Sequence, residues 1–169
     1  MSGCSGHDLE AALSTEDALL EALLAAVAAC RLEALVIGNT AAILHGVPVT
    51  TLDAELLVGK SMANDRKIEM VARRLGAVVT TPFEPASNGR RLEGFPLPID
   101  FMLPPSDRFR FESLRSRAEL VSVGSQVALV ASLSDVIDMK RAADRPKDRA
   151  TMPMLESALL VQRQRRTPG

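Results

Sequence analysis

Residues 35–58 read LVIGNTAAILHGVPVTTLDAELLV: an apolar strand, Gly38-Asn39, a short helical run, a Thr-rich loop and then an acidic strand, Asp53 to Val58. Side chains alternate faces along a strand, so Asp53 and Glu55 point the same way while Ala54, Leu56 and Val58 point inward. At ~5 Å and an effective dielectric of about 20, two such carboxylates repel by roughly 3 kcal/mol, a cost that a divalent cation between them would offset. Asp8 and Glu10 repeat the spacing, but without a following strand or a glycine turn upstream. Context, not spacing, singles out Asp53 and Glu55.

Working outward, Leu35-Val36-Ile37 reads as a buried strand ending at Gly38, where a missing side chain permits a tight turn and close approach of a ligand. Asn39 suits an N-cap, Thr40 to His45 a short helix and Gly46 its stop. Free backbone N–H groups at such a helix start attract phosphate, although the same residues also make an ordinary strand-to-helix turn. Upstream, Ser14 and Asp17 have capping-box spacing, and Leu19, Leu20, Leu23, Leu24 and Val27 recur at helical period. That stripe suits core packing, with a partner-binding groove as the other reading.

Downstream, Met62 to Leu75 is amphipathic, with Ile68, Val71, Ala72 and Leu75 inward. Ala77 to Thr80 reads as a strand, Pro82 to Gly89 as a loop, and Arg90 to Phe95 with Leu97 to Leu103 as a hairpin. Within its second arm Asp100 interrupts an apolar pattern, either facing solvent or joining Asp53 and Glu55 from a neighbouring strand. Arg108, Arg110, Arg115 and Arg117 make a basic stretch that reads as a solvated face or as a contact surface for a partner. Short strands at 119–123 and 126–130 precede a helix capped by Ser132 or Ser134 and reaching about Ala143. Pro146 can open a last helix through Leu155, Leu159 and Leu160.

The 169 residues are 47% hydrophobic, enough for a single domain over 14–162 between an N-terminal tail (1–13) and a basic C-terminal tail (163–169). A net charge of −1 and a pI near 6.1 exclude nucleic-acid binding by bulk charge. The lack of Trp and Tyr disfavours a base-stacking platform. Cys4 and Cys30 read as free thiols, and His7 and His45 as solvated and structural. No apolar run approaches membrane-spanning length, so a soluble, cytoplasmic protein without membrane contact is expected.

Three separated features, Ile37-Gly38, Asp53-Ala54-Glu55 and Asp100, together resemble the nucleotidyltransferase superfamily. The stretches 36–58 and 132–148 (SLSDVIDMKRAADRPKD) resemble in particular the minimal bacterial nucleotidyltransferase toxins of abortive-infection and toxin–antitoxin systems. The resemblance implies an α/β (α+β) nucleotidyltransferase fold, a small mixed sheet flanked by helices. It implies transfer of a nucleoside monophosphate from an NTP to an RNA or protein acceptor, with an antitoxin as a further partner. Asp53, Glu55 and Asp100 would be the catalytic and metal-binding residues for Mg2+ (or Mn2+), with Asp100 able to act as base. Gly38, Asn39 and Thr40 would hold the triphosphate, and Lys140 and Lys147 would neutralise it. The sequence departs from the family pattern at Asn39, where Gly or Ser is expected, at Glu55, where a second Asp is more common, and at Val49, where the toxins carry Arg. These departures give the alternative: a catalytically degenerate relative that binds a nucleotide or a protein partner.

Overall fold

A computed structural model describes the backbone of residues 6–82 and 89–166 and the side chains of 15–82 and 89–166. Helix α1 (Gly6–Ala29) leads into β1 (Ala34–Val36), α2 (Gly38–Leu44), β2 (Ala54–Val58), α3 (Met62–Leu75) and β3 (Val78–Thr80). Strands β4 (Gly89–Glu93) and β5 (Ile99–Met102) follow, then a 3-10 turn at Asp107–Phe109 and α4 (Phe111–Ser116). The hairpin β6 (Glu119–Val123) and β7 (Gln126–Val130) precedes α5 (Leu133–Ala143) and α6 (Pro146–Arg166).

All seven strands join one mixed sheet in the order β3-β4-β5-β2-β1-β7-β6. β2 is central because its side chains leave few polar groups to solvate: Ala54, Leu56, Leu57 and Val58 are all buried. Leu57, on the face of Glu55, is fully buried, so both faces of β2 are covered and only its Asp53 end opens. β2 runs antiparallel to β1 and parallel to β5, while β1 runs parallel to β7. These directions bring the exit of β1, the entry of β2, the entry of β5 and the exit of β7 to one end of the sheet.

The hydrophobic stripe of α1 is core, as its period implies: Leu20, Leu23, Leu24 and Val27 are buried, and α1 packs on α3 and β7. α3 has the bounds expected from its amphipathic pattern, with Ser61 accepting from the Asn64 N–H at 3.0 Å and Gly76 closing it in a left-handed conformation. α5 packs on α2 and α6. Its start is fixed by Ser132, whose hydroxyl accepts from the Asp135 N–H at 3.1 Å, so Ser132 rather than Ser134 is the cap.

Several boundaries differ from expectation. α1 begins at Gly6, well before the Ser14 capping-box spacing, because Ala and Leu at 11–13 continue the helix upstream. α6 continues through Arg163 to Arg166, where a loose basic tail was expected, and Arg166 pairs with Glu119 at 2.8 Å. α2 starts at Gly38 with Ile37 at the cap position, two residues before the Asn39 cap read from the sequence. Asn39 is already helical, and its side-chain Nδ2 donates instead to the Thr50 carbonyl at 2.9 Å. The basic stretch forms the 3-10 turn and α4, and two of its arginines are tied to carboxylates, Arg115 to Glu33 and Arg117 to Asp135. Most of the Pro82–Gly89 loop, the Cys4 thiol, and the side chains of His7, Asp8 and Glu10 lie outside the described residues. Cys30 is a buried free thiol. No helix among the described residues is long and apolar enough to cross a membrane.

Candidate active site

The three acids singled out in the sequence meet at the open end of the sheet. Asp53 immediately precedes β2 and Glu55 is its second residue, while the parallel register places Asp100 of β5 directly opposite Glu55. The two residues on adjacent strands share a face. Asp53 is held by its loop: its carbonyl accepts from Thr51 Oγ1 at 2.7 Å and Thr40 Oγ1 at 3.2 Å, and its Oδ1 accepts from Thr51 at 3.3 Å.

Glu55 lies against the start of α2. Its backbone carbonyl accepts from the Ile37 N–H at 3.0 Å, and its carboxylate fills the space beside the Gly38 Cα, where any side chain would collide with it. Gly38 also has φ +64°, which favours glycine. The glycine therefore makes room for a carboxylate. Burial and then the neighbouring Asp53 charge push the Glu55 carboxyl above its ordinary range, opposed by Lys147, Arg145 and Lys140.

Opposite the acids stands the corner between α5 and α6. Asp148 is fully buried there and accepts from Lys140 Nζ at 3.1 Å and from Arg145 Nε at 2.6 Å. Burial raises the Asp148 carboxyl, but the hydrogen bonds and charges of Arg145 and Lys140 outweigh it and hold the group below its ordinary range. The corner is thus fixed with Arg145 facing the cleft. Lys140 is itself 7% exposed and tied to Asp148, so its first role is to hold this corner. Lys147, in the first turn of α6, is exposed and close enough to act electrostatically on Glu55.

Three adjoining cavities converge here, all lined by Glu55 and Arg145. One of about 500 Å³ lies between the Asn39, Val49–Asp53 and Lys147–Met154 segments. A second, of about 520 Å³, extends over Arg90, Arg91 and Asp100. The third, about 340 Å³, runs beneath α5 past Gly38, Phe109, Val136 and Met139 and is largely apolar. All three have mostly apolar walls, into which the first two set the charged side chains of Asp53, Glu55, Arg145 and Lys147.

Among the expected phosphate-binding residues, Gly38 and Asn39 line the cleft, whereas Thr40 is buried with its hydroxyl donating to the Asp53 carbonyl. Thr40 shapes the acidic loop from behind. Asn39 Oδ1 is buried without a hydrogen-bond partner among the described residues. Asp100 does not stand free beside the other two acids: Arg91 of β4, its antiparallel partner in register, grips both of its oxygens at 2.7 Å. Among the described residues no group of three His, Cys, Asp or Glu side chains is arranged to hold a metal ion. Sequence reasoning missed Arg91, Arg145 and Asp148. Arg91 looked like one charge in a polar strand, but its hairpin register with Asp100 could have suggested the pair.

No family model and no curated protein matches this sequence. Solved structures do resemble it in shape. The crystal structure of ANT(2'')-Ia in complex with adenylyl-2''-tobramycin aligns with TM-score 0.64 at 18% identity, over 86% of this chain and 90% of that one. The solution structure of ANT(2'')-Ia, an antibiotic-resistance factor, gives 0.62 at 15% identity over 90% and 93%. A Thermotoga maritima protein assigned as a nucleotidyltransferase gives 0.57 at 15% identity over 80% and 88%. A seven-stranded mixed sheet with an acidic β2 entry beside a glycine turn, shared in overall shape with these proteins, means that the chain has the nucleotidyltransferase fold.

Proposed function

We propose that the cleft binds a nucleoside triphosphate with a divalent cation and transfers its nucleoside monophosphate to an acceptor hydroxyl. The observation that carries this reading is the pairing of Asp53 and Glu55 at the open end of β2, with Arg145 and Lys147 facing them across the cavities. The donor set fits Mg2+ in one particular way. Mg2+ is commonly held by one or two carboxylates together with substrate phosphates, so Asp53 and Glu55 suit an ion that arrives on the triphosphate. The chemistry that ion supplies is neutralisation of phosphate oxygens and polarisation of the phosphorus.

The chain's own residues do the rest. Arg145, fixed by Asp148, and Lys147 set positive charge where the phosphates lie, and the apolar recess beneath α5 accepts the base. In the transfer, the acceptor oxygen bonds to the α-phosphorus as the bond to pyrophosphate breaks, the hydroxyl proton passing to a site carboxylate. The cavity over Asp100 is lined by Arg90, Arg91, Arg145 and Lys147 against Asp53, Glu55 and Asp100. That cationic majority supports a phosphate-bearing acceptor, hence RNA over protein. The sequence resemblance supports a toxin role with an antitoxin partner.

One observation favours the second reading, a nucleotide-binding relative without transferase activity: Asp100, the expected base, is gripped on both oxygens by Arg91. Calorimetric titration with each triphosphate in Mg2+ or Mn2+ separates the cases. Metal-dependent binding that Asp53→Asn abolishes, followed by label transfer to RNA, is the expected result. Binding without transfer to any acceptor supports the second reading, and a folded wild-type chain that binds no triphosphate leaves only a degenerate relative that binds a protein partner.

A further inference from the structure

Asp100 stands where a third carboxylate could share an ion with Glu55: the two residues are in register on adjacent parallel strands, about 4.8 Å apart in the hydrogen-bonding direction. That place is taken from the other side. The β4–β5 register sets Arg91 opposite Asp100, with Arg91 Nε on Oδ1 and Nη2 on Oδ2, both at 2.7 Å. A planar guanidinium matches a carboxylate in this fork geometry and does not lose its proton in proteins. Asp100 is 17% exposed and Arg91 35%, so the carboxylate is shielded while the guanidinium keeps one side toward water. Arg91 also interacts electrostatically with Asp53. Across the cleft Asp53, Glu55, Asp100 and Asp148 face Arg90, Arg91, Lys140, Arg145 and Lys147, so no excess of negative charge calls for an ion before the nucleotide arrives.

We infer that Arg91 is the resident cation of Asp100 and takes the place of a second divalent ion, so that the site accepts one divalent ion per chain, on Asp53 and Glu55. The single-ion count rests on the proposed nucleotide cleft; the role of Arg91 toward Asp100 does not. Removing the guanidinium leaves the Asp100 charge without its partner and frees two oxygens beside Glu55 and Asp53.

The test is titration with Mn2+ alone, followed by the spin-resonance signal of the free ion, on the wild type, Arg91→Met and Arg91→Met/Asp100→Asn, with folding checked by circular dichroism. With a positive charge removed from beside the carboxylates, Arg91→Met should bind Mn2+ at least about tenfold more tightly than the wild type, and the added Asp100→Asn change should remove the gain. A folded Arg91→Met protein that binds Mn2+ no better than the wild type overturns the inference. The wild type titrated beside a non-hydrolysable triphosphate gives a measure independent of any variant: one Mn2+ per chain supports the inference and two overturn it. A wild type that binds no triphosphate counts against the nucleotide reading, while the nucleotide-free titration still decides the role of Arg91.

Discussion

Replacing Glu55 by Gln should stabilise the protein while abolishing nucleotide transfer. Glu55 and Asp53 are two residues apart on one strand face, about 6.7 Å along the strand. At an effective dielectric of ~20 their repulsion is roughly 2.5 kcal/mol. Burial of the charged carboxylate, the larger cause, adds to this cost, and Lys147, Arg145 and Lys140 offset part of both, which leaves a net gain of about 1 kcal/mol for the neutral amide, or ~2–4 °C in Tm for a chain of this size. The sign follows from linkage. The folded-state carboxyl lies above its unfolded value, so the folded protein binds the extra proton and the wild type loses stability as pH rises through the folded pKa. The advantage of Glu55→Gln should therefore be near zero at acid pH, where both side chains are neutral, and grow toward pH 7. Urea unfolding of both proteins across that range measures it. A Glu55→Gln variant no more stable than the wild type at pH 7, or one whose advantage does not change with pH, would refute the electrostatic account of this site.

Two further perturbations probe its scaffold. Asp148→Ala leaves Lys140 charged and buried without its carboxylate, at a cost of about 3–5 kcal/mol; urea unfolding should show the loss, and the paired replacement Lys140→Met/Asp148→Leu should recover most of it. Gly38→Ala must expel the Glu55 carboxylate and hold φ +64° with a side chain, so thermal melting should show a loss of roughly 1–3 kcal/mol, relieved in part by Glu55→Ala.

Local pattern was enough for much of the chain. The 3.6-residue period in α3, the serine cap of α5, the alternation of β5, and the glycine and proline punctuation at Gly46 and Pro146 act within a few residues, and those elements appear close to where the sequence places them. The nucleotidyltransferase fold was legible through the family resemblance that Ile37-Gly38, Asp53-Ala54-Glu55, Asp100 and the stretch 132–148 carry. The helix ends were less legible, since fraying at Gly6 and Arg166 depends on what those turns pack against.

What the side chains of the site do was decided only by the tertiary structure. Sequence order separates Arg91 from Asp100 by a hairpin and Lys140 from Asp148 by a helix corner, and charge alone does not say which carboxylate each cation takes. Strand register settled the first, giving Arg91 to Asp100, and burial settled the second, since an ion as deeply desolvated as Asp148 must find its partners within hydrogen-bonding reach. The sequence by itself determined which residues carry charge and which strand brings them to the cleft. Pairing across strands and helices determined that Asp53 and Glu55 face the cleft while Asp100 and Lys140 are each held by a partner, because those interactions depend on distances that only the folded chain sets.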